Sequence, residues 1–239
     1  EIRPWPFQVE ILDRLRSERL QHGRWRNLVV SATGTGKTIV AALDYARLRE
    51  ELAPARLLFV AHRQEILEQS LARFREVLRD GAFGELFAGG ARPVRGTHVF
   101  ASVQSLAHSD LDALAPDAYD MVIFDEIHHG ASPTYERLLA HLRPRVLLGL
   151  TATPERADGK SILPWFDGRI AAELRLWEAL DRGLLSPFQY FGVADETDLT
   201  AIRWTRGRYD WEALDRLYTG DHARVGLVLE ALRKRILDL

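Results

Sequence analysis

Apolar residues between positions 6 and 21 recur at the spacing of an amphipathic helix. The residues that share one face of it are Phe7, Ile11, Leu12, Leu15 and Leu20. The next apolar run, Asn27 to Ser31, is short and continuous, which is typical of a buried strand. It ends in a glycine turn, Thr33 to Gly36, before an apolar helix predicted from Thr38 to Leu48. A phosphate-binding loop requires this order of strand, glycine turn and helix.

Strand and helix patterns alternate up to residue 154. Further strands are predicted at residues 56–61, 85–88, 98–102, 121–125 and 146–150, with a helix at residues 64–78. Strands that are apolar along their whole length and separated by helices indicate a parallel sheet that is covered on both faces. We therefore predict an α/β domain with a mainly parallel sheet.

The pattern changes after Pro154. A loop leads to a helix predicted over residues 171–182, and we place a domain boundary near Pro187. The tail from Tyr209 contains two helical patterns separated by Gly220. The predicted organisation is a domain over residues 1–187 followed by a linker and helices over residues 188–239. Since the chain starts at Glu1 without an initiator methionine and ends within a helical pattern, we expect it to be part of a longer protein.

Composition narrows the class of protein. The chain has 239 residues and no cysteine, which excludes a disulfide framework and a cysteine-based zinc site. No apolar stretch approaches the roughly 20 residues of a membrane span, so we predict a soluble, cytoplasmic protein without a membrane partner. The formal net charge is −2, so any contact with nucleic acid must come from a local basic patch.

The glycine turn carries most of a phosphate-loop pattern, G-x-x-x-x-G-K-[ST], with Ser31 in place of the first glycine. The predicted nucleotide-binding residues are Thr33, Gly34, Thr35, Gly36, Lys37 and Thr38. The glycines would let backbone N–H groups face the phosphates, Lys37 would reach the β and γ phosphates, and Thr38 would ligate Mg²⁺. An ordinary glycine turn would not explain Lys37 and Thr38 at this offset. We therefore predict binding of ATP with Mg²⁺.

Two adjacent carboxylates, Asp125 and Glu126, end the apolar strand that begins at Met121. A parallel sheet presents the carboxyl ends of its strands to ligands. There, Asp125 would hold Mg²⁺, and Glu126 would polarise the water that displaces the γ phosphate. The alternative is a solvated acidic strand end, which the phosphate loop upstream makes less favourable.

Three segments together resemble superfamily 2 helicases. They are Ser31 to Thr38, which resembles their phosphate loop, Asp125 to His128, which resembles their D-E-x-H box, and Leu150 to Pro154, which resembles their motif III. The continuation to Gly159 is similar to the branch that contains type III restriction subunits. The resemblance implies a RecA-like P-loop NTPase fold and an ATP-dependent helicase or translocase. It also implies that His128, Thr151 and Thr153 couple the nucleotide site to the opposite domain.

The resemblance extends to weaker segments. Arg63, Ser102 and Gln104 match strand-end positions that touch the backbone of one nucleic-acid strand in these families. As isolated residues, each is more often a helix cap or a surface polar group. Gln8 matches the glutamine that reads adenine, because a carboxamide can both donate to and accept from that base. Where the family often carries an arginine three residues earlier, this chain has Trp5.

Two further patterns have competing interpretations. His128 and His129 suggest a metal site, but the chain offers only scattered histidines as further ligands, so zinc is not favoured. Aromatic and basic residues interleave between Trp204 and Trp211, as in a stacking surface for single strands. Packing of Trp211 on the domain at helical spacing is the stronger alternative.

The resemblance also implies a second RecA-like domain of the same longer chain, which brings arginine fingers across the nucleotide cleft. No Q-x-x-G-R-x-x-R segment of that kind is present. Since an arginine finger is worth ~10³ to 10⁵ in turnover, we expect this chain to bind nucleotide far better than it hydrolyses it. Only the run from Arg156 to Gly159 favours DNA over RNA as the partner. An RNA motor and a nucleotide-gated binding scaffold are the alternatives, whereas a small-molecule kinase would not explain motif III.

Overall fold

The computed structural model describes most of the chain: residues 2–52, 55–109, 111–127, 133–155, 161–190, 192, 198–200, 202–205, 208–219 and 222–236. The chain divides into two compact units, residues 1–187 and 188–239. Residue His128, the neighbouring His129 and the run from Arg156 to Gly159 lie outside the described residues.

A sheet of seven parallel strands forms the first unit within the described residues. The strands are β1 (Arg26–Ser31), β2 (Leu57–Ala61), β3 (Glu85–Phe87), β4 (His98–Ser102), β5 (Met121–Phe124), β6 (Val146–Thr151) and β7 (Ala172–Leu174). Their order across the sheet is β3-β4-β2-β5-β6-β1-β7, and each neighbouring pair is parallel. The predicted parallel α/β fold is confirmed.

Helices cover both faces of this sheet. They are α1 (Pro6–Leu20), α2 (Lys37–Glu51), α3 (Gln64–Leu78), α4 (Val103–His108), α5 (Pro133–His141) and α6 (Leu176–Asp181). Alternate residues of β2 point to different cores, because successive side chains of a strand lie on opposite faces. Phe59 packs with apolar residues of α1, α2 and α3, whereas Leu58 and Val60 pack with those of α4 and α5.

The segment of residues 171–182 corrects one prediction. It is not a continuous helix: residues 172–174 form β7, and only residues 176–181 are helical. The strand pairs with β1, in the register Val29 with Ala172 and Ser31 with Leu174. The open edge of β1 thus offers backbone hydrogen bonds that outweigh the local preference for helix.

The second unit is mainly helical, as predicted for the extension. It contains a two-stranded antiparallel sheet, β8 (Trp204–Thr205) with β9 (Arg208–Tyr209), and two helices, α7 (Trp211–Thr219) and α8 (His222–Ile236). The rings of Trp204 and Tyr209 meet edge to face at 4.5 Å. Trp211 begins α7, and its predicted packing on the domain stays a prediction.

Two negative findings apply to the described part of the chain. No helix there is both long enough and apolar enough to cross a membrane. No group of three or more histidine or acidic side chains there is arranged to hold a metal ion.

Candidate active site

The parallel sheet brings most of the predicted site residues to one edge, where all seven strands end. We call it the carboxyl edge. Ser31 ends β1, Asp125 follows β5, and Thr151 ends β6. Because β6 lies between β5 and β1, motif III separates the phosphate loop from the carboxylate pair. Residues far apart in the sequence therefore line one ligand-accessible edge.

The phosphate loop connects β1 to α2. Gly34 and Gly36 have φ angles of 90° and 80°, a region that a side chain rarely adopts. Helix α2 begins at Lys37, so Lys37 and Thr38 are the first two residues of a 15-residue helix. The N–H groups of a first helical turn have no partner within the helix, and its dipole is positive there. The loop thus presents donors and positive charge where an anion would bind.

Ser31 stabilises this loop in place of the usual glycine. Thr35 Oγ1 donates a hydrogen bond to Ala32 O at 2.7 Å and lies 2.6 Å from Ser31 Oγ. Since a hydroxyl carries one hydrogen, Ser31 must be the donor to Thr35. Both side chains are buried. The hydroxyl of Thr35 is therefore used within the loop, and Thr33 and Gly34 form its exposed tip.

Gln8 ties α1 to the phosphate loop. Its Nε2 donates to Thr35 O at 3.1 Å, and its Oε1 accepts from Trp5 N at 3.0 Å. The residue is 4% exposed. These two contacts use one of the two hydrogens on Nε2 and one of the two lone pairs on Oε1. Gln8 can therefore still donate one hydrogen bond and accept another. Contact with adenine stays a prediction, and the structure adds a direct contact with the loop.

Lys37 spans the distance between the loop and the carboxylate pair. Its Nζ donates to Ser31 O at 3.1 Å and lies 4.0 Å from Glu126 Oε1. The Lys37 side chain is 9% exposed and that of Glu126 26%. An ammonium that is largely removed from water but close to a carboxylate is well placed to meet the charge of a phosphate.

Asp125 is buried at the end of β5 and carries an unusual proton affinity. Burial and, less strongly, the charge of Glu126 raise its pKa to about 6, and the charge of Lys37 opposes the shift. Its Oδ1 accepts from Glu126 N at 3.0 Å, and Glu126 has a φ of 51°, in the left-handed region. A left-handed residue that is not glycine is uncommon and is found often at functional sites.

The donor set fits Mg²⁺ rather than a softer metal. Asp125 and Glu126 supply carboxylate oxygens, and Thr38 supplies a hydroxyl oxygen. All of these are hard ligands, which Mg²⁺ prefers. Mg²⁺ is usually held by one or two carboxylates, with phosphates and water as the other ligands. A cation here would also relieve the repulsion that raises the pKa of Asp125.

Two residues that sequence reasoning missed lie at this site. Tyr135 of α5 is fully buried, and burial together with the charges of Asp125 and Glu126 raises its pKa, so its hydroxyl stays protonated. Leu185 approaches the loop: its Cδ2 would lie 3.2 Å from a Cβ built on Gly34. Neither residue belongs to a sequence motif, and the helix that carries Tyr135 was not predicted.

Thr151 closes the motif III turn. Its hydroxyl donates to Thr153 O at 2.9 Å and accepts from Thr153 N at 3.1 Å, and Thr151 is fully buried. The two predicted coupling threonines therefore form one rigid turn. Their predicted link to His128 falls outside the described residues.

The family model of the type III restriction enzyme, res subunit, matches residues 1–156 of the chain. The chain belongs to that family. The resemblance found in the sequence is therefore confirmed.

Two relatives of this chain are much longer proteins. The type I restriction enzyme EcoAI endonuclease subunit of Escherichia coli is 27% identical over 226 residues, which are 90% of this chain and 27% of that protein. The DNA 3'-5' translocase XPB2 of Sulfurisphaera tokodaii is 31% identical over 135 residues, covering 56% of this chain and 28% of that one. The chain thus spans little more than a quarter of either relative.

The chain shares its fold with solved helicase structures. The Hef helicase domain of Pyrococcus furiosus superposes with a TM-score of 0.59 at 18% identity, over 71% of this chain and 37% of that one. At this identity the likeness shows the fold, and the predicted RecA-like architecture is confirmed.

The predicted nucleic-acid positions lie along the same edge of the sheet, beyond β5. Arg63 is exposed and is the residue immediately before α3, and its side chain makes no hydrogen bond to the helix end. Gln104 is exposed, and its Nε2 is hydrogen-bonded to His62 Nδ1 at 3.1 Å. Ser102 is buried and caps α4, accepting from Ser105 N at 3.0 Å. Arg63 and Gln104 are thus available to a ligand, whereas the Ser102 hydroxyl already holds a helix end.

Proposed function

We propose that this chain is the first motor domain of an ATP-dependent DNA helicase or translocase. It binds ATP with Mg²⁺ at the carboxyl edge and contacts one nucleic-acid strand through the neighbouring strand ends. One observation carries the proposal: Lys37, on the first turn of α2, lies within 4.0 Å of Glu126, which brings the phosphate loop and the carboxylate pair into one site.

Each residue of the site has a distinct task in hydrolysis. The first N–H groups of α2 and the Lys37 ammonium bind the β and γ phosphates, for which Lys37 exchanges its contact with Ser31 O. Asp125 and Thr38 would hold Mg²⁺, which neutralises charge that develops on the phosphates. Glu126 orients the water for in-line attack and accepts its proton. Gln8, in the first turn of α1, forms hydrogen bonds with the edge of the adenine base.

The preference for DNA over RNA rests on the run from Arg156 to Gly159 and on the names of the relatives. The name of the Sulfurisphaera protein describes a DNA translocase, and that of the Escherichia coli protein an endonuclease subunit of a restriction enzyme. Arg63 and Gln104 would contact phosphates of one strand, which needs a guanidinium and an amide at strand ends. The second RecA-like domain, with its arginine finger, would belong to the rest of a longer chain. The predicted cytoplasmic location stays a prediction.

The first test measures ATP binding by calorimetry and ATP turnover with Mg²⁺, with and without single-stranded DNA. The matched variants are Lys37→Ala and Lys234→Ala, because Lys234 lies on α8 and is 73% exposed. We expect Lys37→Ala to weaken ATP binding by at least about tenfold, since hydrogen bonds to charged groups contribute roughly 1.5–3 kcal/mol. Lys234→Ala should bind as the unaltered chain does. Equal binding by both variants would refute the phosphate-loop assignment.

A second measurement separates a motor from a nucleotide-gated scaffold. The full-length protein is assayed for ATP turnover with DNA, with RNA and without nucleic acid. A motor requires turnover that rises with nucleic acid, and DNA should be the stronger activator. Nucleotide-dependent affinity for DNA without stimulated turnover would favour the scaffold, and activation by RNA alone would favour an RNA motor.

A further inference from the structure

A buried ion pair joins α1 to α2 far from the phosphate loop. Arg19 Nη1 and Nη2 lie 2.6 and 2.7 Å from the two carboxylate oxygens of Asp44, and the side chains are 3% and 4% exposed. Arg19 Nε also donates to Asn27 Oδ1 on β1, at 3.2 Å. The pair therefore fixes the end of α1 against both α2 and the sheet.

An exposed pair between the same helices provides a natural comparison. Arg47 Nη1 lies 3.6 Å from Asp13 Oδ1, with side chains 47% and 66% exposed. Exposed pairs of this kind contribute little, because water screens them and ordering the side chains is unfavourable. Of these two ion pairs, the buried one is therefore the one that can add a defined geometry to the apolar packing between the helices.

Stability alone does not account for the buried pair. Removing two charges from water is so unfavourable that well-packed apolar residues of similar volume are often as stable or more stable. Packing beside the pair is also incomplete, since a cleft of about 430 Å³ lies between α1 and α2, lined in part by Leu20 and Trp25. Two parallel hydrogen bonds between planar groups allow little sliding or rotation, which suits a role in fixing register.

The register of α1 matters at its other end. Arg19 follows Gln8 by eleven residues on one continuous helix, which corresponds to about 16 Å along the axis. Gln8 Nε2 donates to Thr35 O of the phosphate loop at 3.1 Å, and α2 starts from that same loop. A slide of α1 along α2 by one residue, roughly 1.5 Å, would break this hydrogen bond.

We propose that Arg19 and Asp44 are positioning residues that hold α1 in register with α2, so that the Gln8 carboxamide stays on the phosphate loop and selects adenine. This inference rests on the proposed function, in which Gln8 reads the base. The pair touches no ligand and acts through the rigid helix. Its removal changes base selectivity while the chain remains folded.

The experiment compares two double variants of the chain. Arg19→Met with Asp44→Leu replaces the buried pair by apolar residues, and Asp13→Asn with Arg47→Gln removes the exposed pair. Calorimetry gives Kd for Mg-ATP and Mg-GTP, and urea denaturation gives the stability of each variant. We expect the buried-pair variant to stay folded and to lose about tenfold in ATP affinity, equivalent to one lost hydrogen bond, with little change for GTP. The exposed-pair variant should match the unaltered chain.

A double-mutant cycle with Gln8→Ala separates positioning from general support. If the pair acts through Gln8, its removal has no further effect on ATP affinity once Gln8 is alanine. Independent, additive losses would overturn the proposal, as would a buried-pair variant that keeps its preference for ATP over GTP. If the apolar variant fails to fold, Arg19→Lys keeps the charge but loses the paired hydrogen bonds, and it should still weaken ATP relative to GTP. Unchanged selectivity in Arg19→Lys would then refute the inference.

The outcomes distinguish the two proposals. An unaltered chain that binds no ATP refutes the proposed function. An unaltered chain that binds ATP and GTP equally leaves the phosphate site intact but overturns the inference, because there is then no base selectivity for the pair to maintain.

Discussion

Lys37 Nζ donates to Ser31 O at 3.1 Å while it lies 4.0 Å from Glu126 Oε1. Strand β6 separates β1 from β5, so this one side chain spans the site across an intervening strand. Ser31 O is a neutral acceptor, and the Glu126 carboxylate is too distant for a hydrogen bond. A phosphate group could offer Lys37 both negative charge and a direct hydrogen bond. Nucleotide binding can therefore recruit Lys37 without unfolding any part of the loop.

Asp125→Asn should stabilise the chain at high pH. The folded-state pKa of Asp125, about 6, lies above the ordinary 3.8, so folding favours the protonated acid. The contribution of Asp125 favours folding below about pH 4 and is lost as the pH rises through about 6. Without Mg²⁺ or nucleotide, we expect the free energy of unfolding of the variant to be higher than that of the unaltered chain by up to about 3 kcal/mol at pH 8. At pH 4 the two should differ little. Urea denaturation at both pH values measures this.

Asparagine is a suitable replacement because its oxygen can still accept the hydrogen bond from Glu126 N. A stability difference that is the same at both pH values would contradict the proposed burial of charge. Added Mg²⁺ with ATP should stabilise the unaltered chain more than the variant, since only a carboxylate binds the cation strongly.

Ser31→Gly, which restores the usual first glycine of the motif, should destabilise the chain. It removes the donor to Thr35 Oγ1, at 2.6 Å, from a buried position. We expect a loss of about 1–2 kcal/mol, from the hydrogen bond and from the added freedom of the unfolded chain. Ser31→Ala isolates the hydroxyl. If thermal unfolding shows Ser31→Ala as stable as the unaltered chain, the hydroxyl does not support the loop.

Gly36→Ala should disturb nucleotide binding more than Gly23→Ala does. Both glycines have positive φ angles, 80° and 65°, so either substitution strains the backbone by about 1–2 kcal/mol. At Gly36 the new Cβ would also lie 2.7 Å from Gln8 Nε2, whereas nothing lies within 4 Å at Gly23. Calorimetry should show weaker ATP binding for Gly36→Ala alone. Equal ATP affinity in the two variants would show that displacing Gln8 does not affect nucleotide binding.

Arg63→Gln should reduce the salt dependence of single-stranded DNA binding. Each phosphate contact that is lost lowers the slope of log K against log salt by about 0.7. Arg73→Gln is the control, because Arg73 lies on α3, the helix that Arg63 precedes, is 57% exposed and pairs with Glu76. Fluorescence anisotropy over a range of salt concentrations gives both slopes. If the slope falls equally in both variants, Arg63 makes no specific contact with a DNA phosphate.

The phosphate loop and the carboxylate pair could be predicted because each is one continuous segment with a fixed spacing. The loop glycines, Lys37 and Asp125 needed no tertiary information. In contrast, the bond from Gln8 to Thr35 joins residues 27 positions apart, and the Arg19–Asp44 pair joins residues 25 apart. Such contacts depend on how helices pack. Strand β7 was missed for the same reason, since its structure comes from the edge of β1 rather than from its own residues.

The pairing of β7 with β1 also sets a lower limit on the length of a shortened chain that could keep this site. The family match ends at residue 156, but Ala32 N, within the phosphate loop, donates to Leu174 O at 2.9 Å. Cutting the chain at residue 156 would expose the edge of β1 and leave this amide without its partner. A chain that ends at residue 156 would therefore lose a hydrogen bond that holds the phosphate loop. The smallest fragment that keeps this site must continue beyond Leu174.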